Sequence, residues 1–115
     1  MVKELVIVRP DDWHLHLRDE DLLPITVNES AKSFARAIIM PNLVPPITKL
    51  VDAKSYKHRI MKALKPNLSF IPLMTLYMTE ETDPREVEKG FMNGLISAVK
   101  LYPAGATTNS QSGVK

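Results

Sequence analysis

Apolar positions fall in short runs divided by turn residues, and these runs alternate with stretches of helical period. Leu5-Val6-Ile7-Val8 is an apolar, β-branched run that reads as a short strand, ended by Pro10. Asp11 and Asp12 read as a turn, and a strand is expected over 13–17. Acidic Asp19, Glu20 and Asp21 precede Leu22-Leu23, as at a helix start, and predict a helix over about 21–33. Pro24 suits its first turn, where a missing N–H costs little. The β-branched Ile25, Thr26 and Val27 oppose it. Arg36-Ala37-Ile38-Ile39-Met40 is nearly continuously apolar, as strands buried on both faces of a parallel sheet are. Pro41 stops it, and the three prolines of 41–46 stiffen the following loop.

Over 51–64, Lys54, Lys57, His58, Arg59 and Lys62 form a wet face, with Ala53, Tyr56, Ile60 and Leu64 on the dry one, which predicts a helix. A strand is expected over 69–77, with Pro72 awkward in its middle. Asp83 can cap a third helix, Pro84 takes its first position, and Glu86 stands where a capping box wants it. That helix should reach about residue 93, with Gly94 as its stop. A last strand is expected over 96–102, and 103–115 reads as a mobile loop of small and polar residues.

The resulting order, β-α-β-α-β-α-β, argues for parallel strands joined by helical crossovers. An open doubly wound sheet and part of a (β/α)8 barrel both fit. A nucleotide-binding doubly wound sheet should carry a glycine-rich turn after its first strand. Here that turn carries His14, His16 and Arg18 instead. The notable polar residues all fall at strand C-terminal ends: His14 and His16, Asn42, Thr75 and Lys100. Barrel enzymes build their sites at that face. The expected fold is therefore α/β: the N-terminal half of a (β/α)8 barrel, four β-α units, with residues 1–115 forming an incomplete barrel domain. A whole barrel takes ~250 residues, so part of a longer ancestral chain is expected, with strand edges left unpaired.

Composition narrows the function without naming it. The 115 residues suffice for one small core. At 44% hydrophobic and 24% charged, the chain looks like an ordinary soluble protein. A net charge of +2 is too small to argue for nucleic acid or an anionic membrane. There is no Cys, hence no disulfide and no thiolate metal site. The start, Met1-Val2-Lys3-Glu4-Leu5, lacks a signal-peptide core, and no apolar run nears membrane-spanning length. A cytoplasmic location is the default expectation.

Candidate chemistry centres on Trp13-His14-Leu15-His16-Leu17-Arg18-Asp19. In a strand His14 and His16 share a face, and two imidazoles so placed can share one divalent metal, zinc being well suited. Arg18 on the same face offers a fork for a carboxylate or phosphate. Histidines so spaced are more often surface residues than ligands; the apolar setting and the polar residues at later strand ends favour the metal. Lys100 lies between Val99 and Leu101 at a strand end. It either snorkels to water or is partly desolvated, with a lowered pKa. A neutral amine there can add carbon dioxide to give a carbamate, which two divalent ions can bridge while activating a water.

Three blocks are Arg9-Pro10-Asp11-Asp12-Trp13-His14-Leu15-His16-Leu17-Arg18-Asp19, Met40-Pro41-Asn42-Leu43-Val44-Pro45-Pro46 and Lys100-Leu101-Tyr102-Pro103-Ala104-Gly105-Ala106-Thr107-Thr108-Asn109-Ser110. In order and spacing they resemble the single-function bacterial dihydroorotases of the amidohydrolase superfamily. The resemblance implies a metal-dependent barrel, with zinc on His14 and His16 and carboxylated Lys100 bridging two zinc ions. It implies Arg18 and Asn42 on the substrate carboxylate, and Thr107 and Thr108 on a loop that closes over the site. The implied reaction interconverts dihydroorotate and N-carbamoyl-aspartate in pyrimidine synthesis. The implied partner is that small molecule, without nucleic acid or membrane, and a homodimer stays open. Two features depart from the family pattern. The family's later histidines and its aspartate base have no counterpart, since the remaining histidine, His58, sits on a charged helix face. Glu20 stands where many relatives have glycine. The alternatives are a hydantoinase- or allantoinase-like amidohydrolase, which the Arg18–Asn42 pair disfavours, and a truncated, non-catalytic metal-binding or association module.

Overall fold

The computed structural model describes residues 3–115. Strand β1, Asp11–Leu15, lies parallel to β2, Arg36–Ile39, which lies parallel to β3, Ile71–Leu73. Strands β4, Thr75–Tyr77, and β5, Ala98–Lys100, form a second parallel pair. Helices α1, Leu23–Ser33, α2, Leu50–Ala63, and α3, Pro84–Met92, connect successive strands. All strand pairings are parallel, as expected of helical crossovers.

Several expectations shift, each for a local reason. Asp11 and Asp12 form no turn; they begin β1. Asp11 sits in register with Arg36, and both guanidinium contacts are made, Nε to Oδ1 at 3.2 Å and Nη2 to Oδ2 at 2.6 Å. The 5–8 run is not a strand. It pairs with no strand among the described residues, and Val6 and Val8 are 89% and 92% exposed. The first strand ends at Leu15, short of 17, and its register with β2 slips between Asp12 and Leu15. Such a bulge re-aims the side chains around it.

The 21–33 helix opens as a 3-10 turn at Glu20–Leu22 and becomes α-helical at Leu23, with Pro24 in the first turn. Asp19 does not cap it with its side chain. Glu20 takes φ +53 and Arg18 φ +59, the left-handed region that glycine favours. The glycine expected in place of Glu20 thus has a backbone reason.

The expected 69–77 strand splits at Met74 into β3 and β4. Pro72 is tolerated because β3 is at the edge of its sheet. Ile71 N–H donates to Ala35 at 3.0 Å, so the next N–H position, the one proline lacks, turns away from β2. Asp83 caps α3 by accepting from Arg85 N–H at 2.9 Å. Glu86 does not close a capping box. Its Oε1 instead accepts from the N–H of Leu50, at 2.9 Å, at the head of α2. Gly94 takes φ +75 just past α3, as a helix stop should. The expected 96–102 strand holds only over Ala98–Lys100, and turns follow it, so no helix completes a fourth β-α unit among the described residues.

The core lies between the helices and the sheets. Val27 and Ala31 of α1, Ala53, Tyr56 and Ile60 of α2, and Ala37, Ile39 and Leu76 of the strands are buried in one cluster. Asn28 stitches α1 to the end of α2, donating to Ala63 O at 2.9 Å and accepting from Lys65 N–H at 2.8 Å. The C-terminal ends of β1, β2 and β5 then carry His14, His16, Asn42 and Lys100, whereas Thr75, expected at a strand's C-terminal end, opens β4 because the 69–77 strand breaks at Met74.

Candidate metal centre and the adjoining pocket

Although β1 ends between them, the two histidines converge: His14 Nε2 and His16 Nε2 are 3.1 Å apart. The rings are 5.1 Å between centroids and tilted by 42°. His14 is exposed, and Asp12 Oδ1 accepts from its backbone N–H at 3.0 Å. His16 is half-buried. Burial first, then the positive charges of Arg18, Lys100 and His14, pull its pKa down to about 4. It is therefore neutral at pH 7, the form that binds metal.

Two imidazole nitrogens on one tetrahedral zinc, each ~2.0–2.1 Å from it, stand roughly 3.4 Å apart. The observed separation is close to that, so the pair fits a shared ion. Among the described residues no group of three His, Cys, Asp or Glu side chains surrounds a common point.

Lys100 ends β5 and is half-buried. Burial, and then the charge of Arg18, hold its amine below the usual lysine range. Nζ donates to Asn42 Oδ1 at 3.2 Å and lies 5.0 Å from the Tyr102 ring centroid. Asn42, just past β2 and 1% exposed, donates in turn from Nδ2 to the Thr108 carbonyl at 2.8 Å.

Arg18 is brought to the same place by its left-handed backbone rather than by strand alternation. Its carbonyl accepts from the Tyr56 hydroxyl. Its Nη1 is buried and has no hydrogen-bond partner among the described residues. A buried guanidinium nitrogen without an acceptor is costly, and an anion would satisfy it. Arg18 also lines a cavity of about 610 Å³ shared with Leu43, Pro45, Thr48, Arg59 and Asn109. His14, His16 and Lys100 do not line it. Arg18 is thus the residue common to the pocket and the histidine site.

One pocket-wall feature escaped the sequence. Arg59, read as a plain wet-face residue, pairs with Asp19 through Nε at 3.1 Å and Nη2 at 2.8 Å, and sits 5.2 Å from the Tyr56 ring centroid. Opposite charge 40 residues apart gave no signal for it. His58 is exposed on α2, as expected. Thr107 and Thr108 are exposed. Their segment is held by Ser110, whose buried hydroxyl donates to Thr107 O at 2.6 Å and accepts from Thr107 N–H at 2.9 Å. Ser110 went unnoticed in the sequence because a serine in a polar loop looks solvated. No described helix is long and apolar enough to cross a membrane.

No family profile matches the chain. Among curated proteins, a dihydroorotase of Jannaschia sp. is 62% identical over 114 residues, covering 99% of this chain and 33% of that protein. Among solved structures, a dihydroorotase from Campylobacter jejuni superposes with a TM-score of 0.84 at 47% identity, covering 93% of this chain and 30% of the other. An L-hydantoinase (dihydropyrimidinase) from Arthrobacter aurescens, TM-score 0.69 at 22% identity over 93% of this chain and 24% of its own, shares the fold alone. The chain spans about a third of the length of the curated relatives it matches, and corresponds to their N-terminal third.

Proposed function

We propose, from this likeness to the N-terminal third of dihydroorotases, that the chain is half of a metal-dependent (β/α)8 barrel. We propose further that it supplies the first part of a site interconverting dihydroorotate with water and N-carbamoyl-L-aspartate in pyrimidine synthesis. The observation that carries this reading is identity of 62% over an alignment covering 99% of the chain.

In this reading His14 and His16 would hold zinc, and Lys100, once carboxylated, would serve as a further, anionic ligand. When bound, the metals supply a water acidic enough to attack at neutral pH and polarise the amide carbonyl. The chain's own residues prepare the rest. His16 stays neutral at physiological pH because burial and three neighbouring charges disfavour its protonation. Lys100 is shifted toward the neutral amine that reacts with carbon dioxide. Arg18 offers its unpartnered Nη1 to the substrate carboxylate, and Asn42 has a second N–H beyond the one given to Thr108. The 103–115 loop, with Thr107 and Thr108, closes over the bound ring.

The test is calorimetric titration of the zinc-loaded chain with dihydroorotate and with hydantoin, which lacks the carboxylate. Dihydroorotate should bind more tightly, and Arg18→Met should weaken it by about 10–100-fold, as expected for a lost charged hydrogen bond. Equal binding of the two ligands, or no effect of Arg18→Met, would contradict the assignment of Arg18.

A further inference from the structure

Asn42 joins two parts of this structure through one side chain. Its side chain is almost fully buried and is held from both ends, by Lys100 Nζ on Oδ1 and by the Thr108 carbonyl on Nδ2. Rotating the amide by a half turn would set donor against donor and acceptor against acceptor. Its orientation is therefore locked while both partners stay in place.

We propose that Asn42 is a positioning residue that latches the Lys100 amine to the 103–115 loop. This deepens, and in its chemical part rests on, the reading of Lys100 as a carboxylated lysine. Carboxylation joins the Nζ lone pair to the carbon of carbon dioxide. One C–O π pair moves onto oxygen, and one proton leaves Nζ for solvent. One N–H remains, and conjugation keeps it in the carbamate plane, as in a peptide group. An acceptor fixed on that N–H sets the plane of the carbamate, and with it the direction of its two oxygens. Asn42 Oδ1 is such an acceptor, and its own position is set by the Thr108 carbonyl. The loop and the lysine thus share one side chain, and disturbing either end reaches the other.

Hydrogen exchange of the full 115-residue chain reads the latch directly, at the loop amides of Gly105, Ala106 and Thr107, which are held by turn hydrogen bonds to Ser110 and Pro103. Asn42→Ala removes both arms. Asn42→Asp keeps the acceptor for Lys100 but sets an oxygen against the Thr108 carbonyl. Lys100→Met removes only the lysine end. All three should speed exchange at those amides by about two- to tenfold, the worth of one hydrogen bond. The Asn42→Ala, Lys100→Met double variant should add nothing to Asn42→Ala. Unchanged α2 amides report that each variant is folded. Wild-type loop rates in Asn42→Asp or in Lys100→Met, or additive effects in the double variant, would overturn the latch. In parallel, 13C-labelled bicarbonate with zinc should give a carbamate carbon signal on Lys100 that Asn42→Asp lowers several-fold, since a carboxylate repels the carbamate. Undiminished signal in Asn42→Asp counts against the positioning role. A wild-type chain without that signal overturns the carboxylated-lysine reading, and the exchange rates still decide the latch.

Discussion

His16 gathers the pressures that make this end of β1 unusual: partial burial and the charges of Arg18, Lys100 and His14. All favour the neutral ring, so in the metal-free chain its NMR titration should be centred at about 4 rather than at an ordinary histidine value. The sign for stability follows. Between the unfolded value of about 6.5 and the folded value, the unfolded chain binds more protons, so this residue's contribution should be lost as pH falls through that window. A His16 midpoint above 6 would contradict the electrostatics described. Glu20 carries a second residue-scale prediction. Its φ of +53 costs a non-glycine residue about 1 kcal/mol, so Glu20→Gly should raise unfolding stability by roughly that amount in urea titration, and a loss of stability would speak against strain there. At this scale the sequence was informative about residue identity but not about how the residues are aimed. The His-x-His pairing was read from strand alternation, whereas His14 lies within a register slip and His16 beyond the strand's end. Arg18 was placed on their face by the same alternation and arrives by a left-handed turn instead.

Helices were the most legible elements because periodicity and caps repeat the same message along many residues. The dry face Ala53, Tyr56, Ile60 was visible in spacing alone and is buried. Strands were less legible, because three to five residues carry little pattern and pairing depends on distant chain. Asp11 joined a strand because Arg36 lay opposite it, and 5–8 pairs with no strand among the described residues. Glu86 shows the limit for capping. The local motif pointed to its own helix, while the carboxylate serves the N-terminus of α2, 36 residues away in sequence. Glu86→Ala should therefore cost about 1–2 kcal/mol, a charged hydrogen bond to an otherwise unpaired N–H. The lost hydrogen-exchange protection should appear at the start of α2 rather than α3. Protection lost only in α3 would restore the capping-box reading.

Across the molecule, the helices cover one side of the strands while Trp13, Ile71 and Leu101 remain exposed, surface that the rest of a barrel would cover in the proposed fold. Parallel pairing and the placing of His14, His16, Asn42 and Lys100 at strand ends were inferred from strand order alone, whereas the division into a β1-β2-β3 sheet and a β4-β5 pair was not. The pocket between Arg18, Leu43 and Arg59 was not, because cavities arise from packing that no single stretch records. The central claim is that this gathering is a metal centre, and zinc affinity measured by competition with a chromophoric chelator tests it most directly. The account predicts zinc bound by the wild-type chain, strengthened by bicarbonate, and weakened more than about tenfold by His14→Ala, by His16→Ala and by Lys100→Met. Equal affinity in the wild-type chain and all three variants would contradict it.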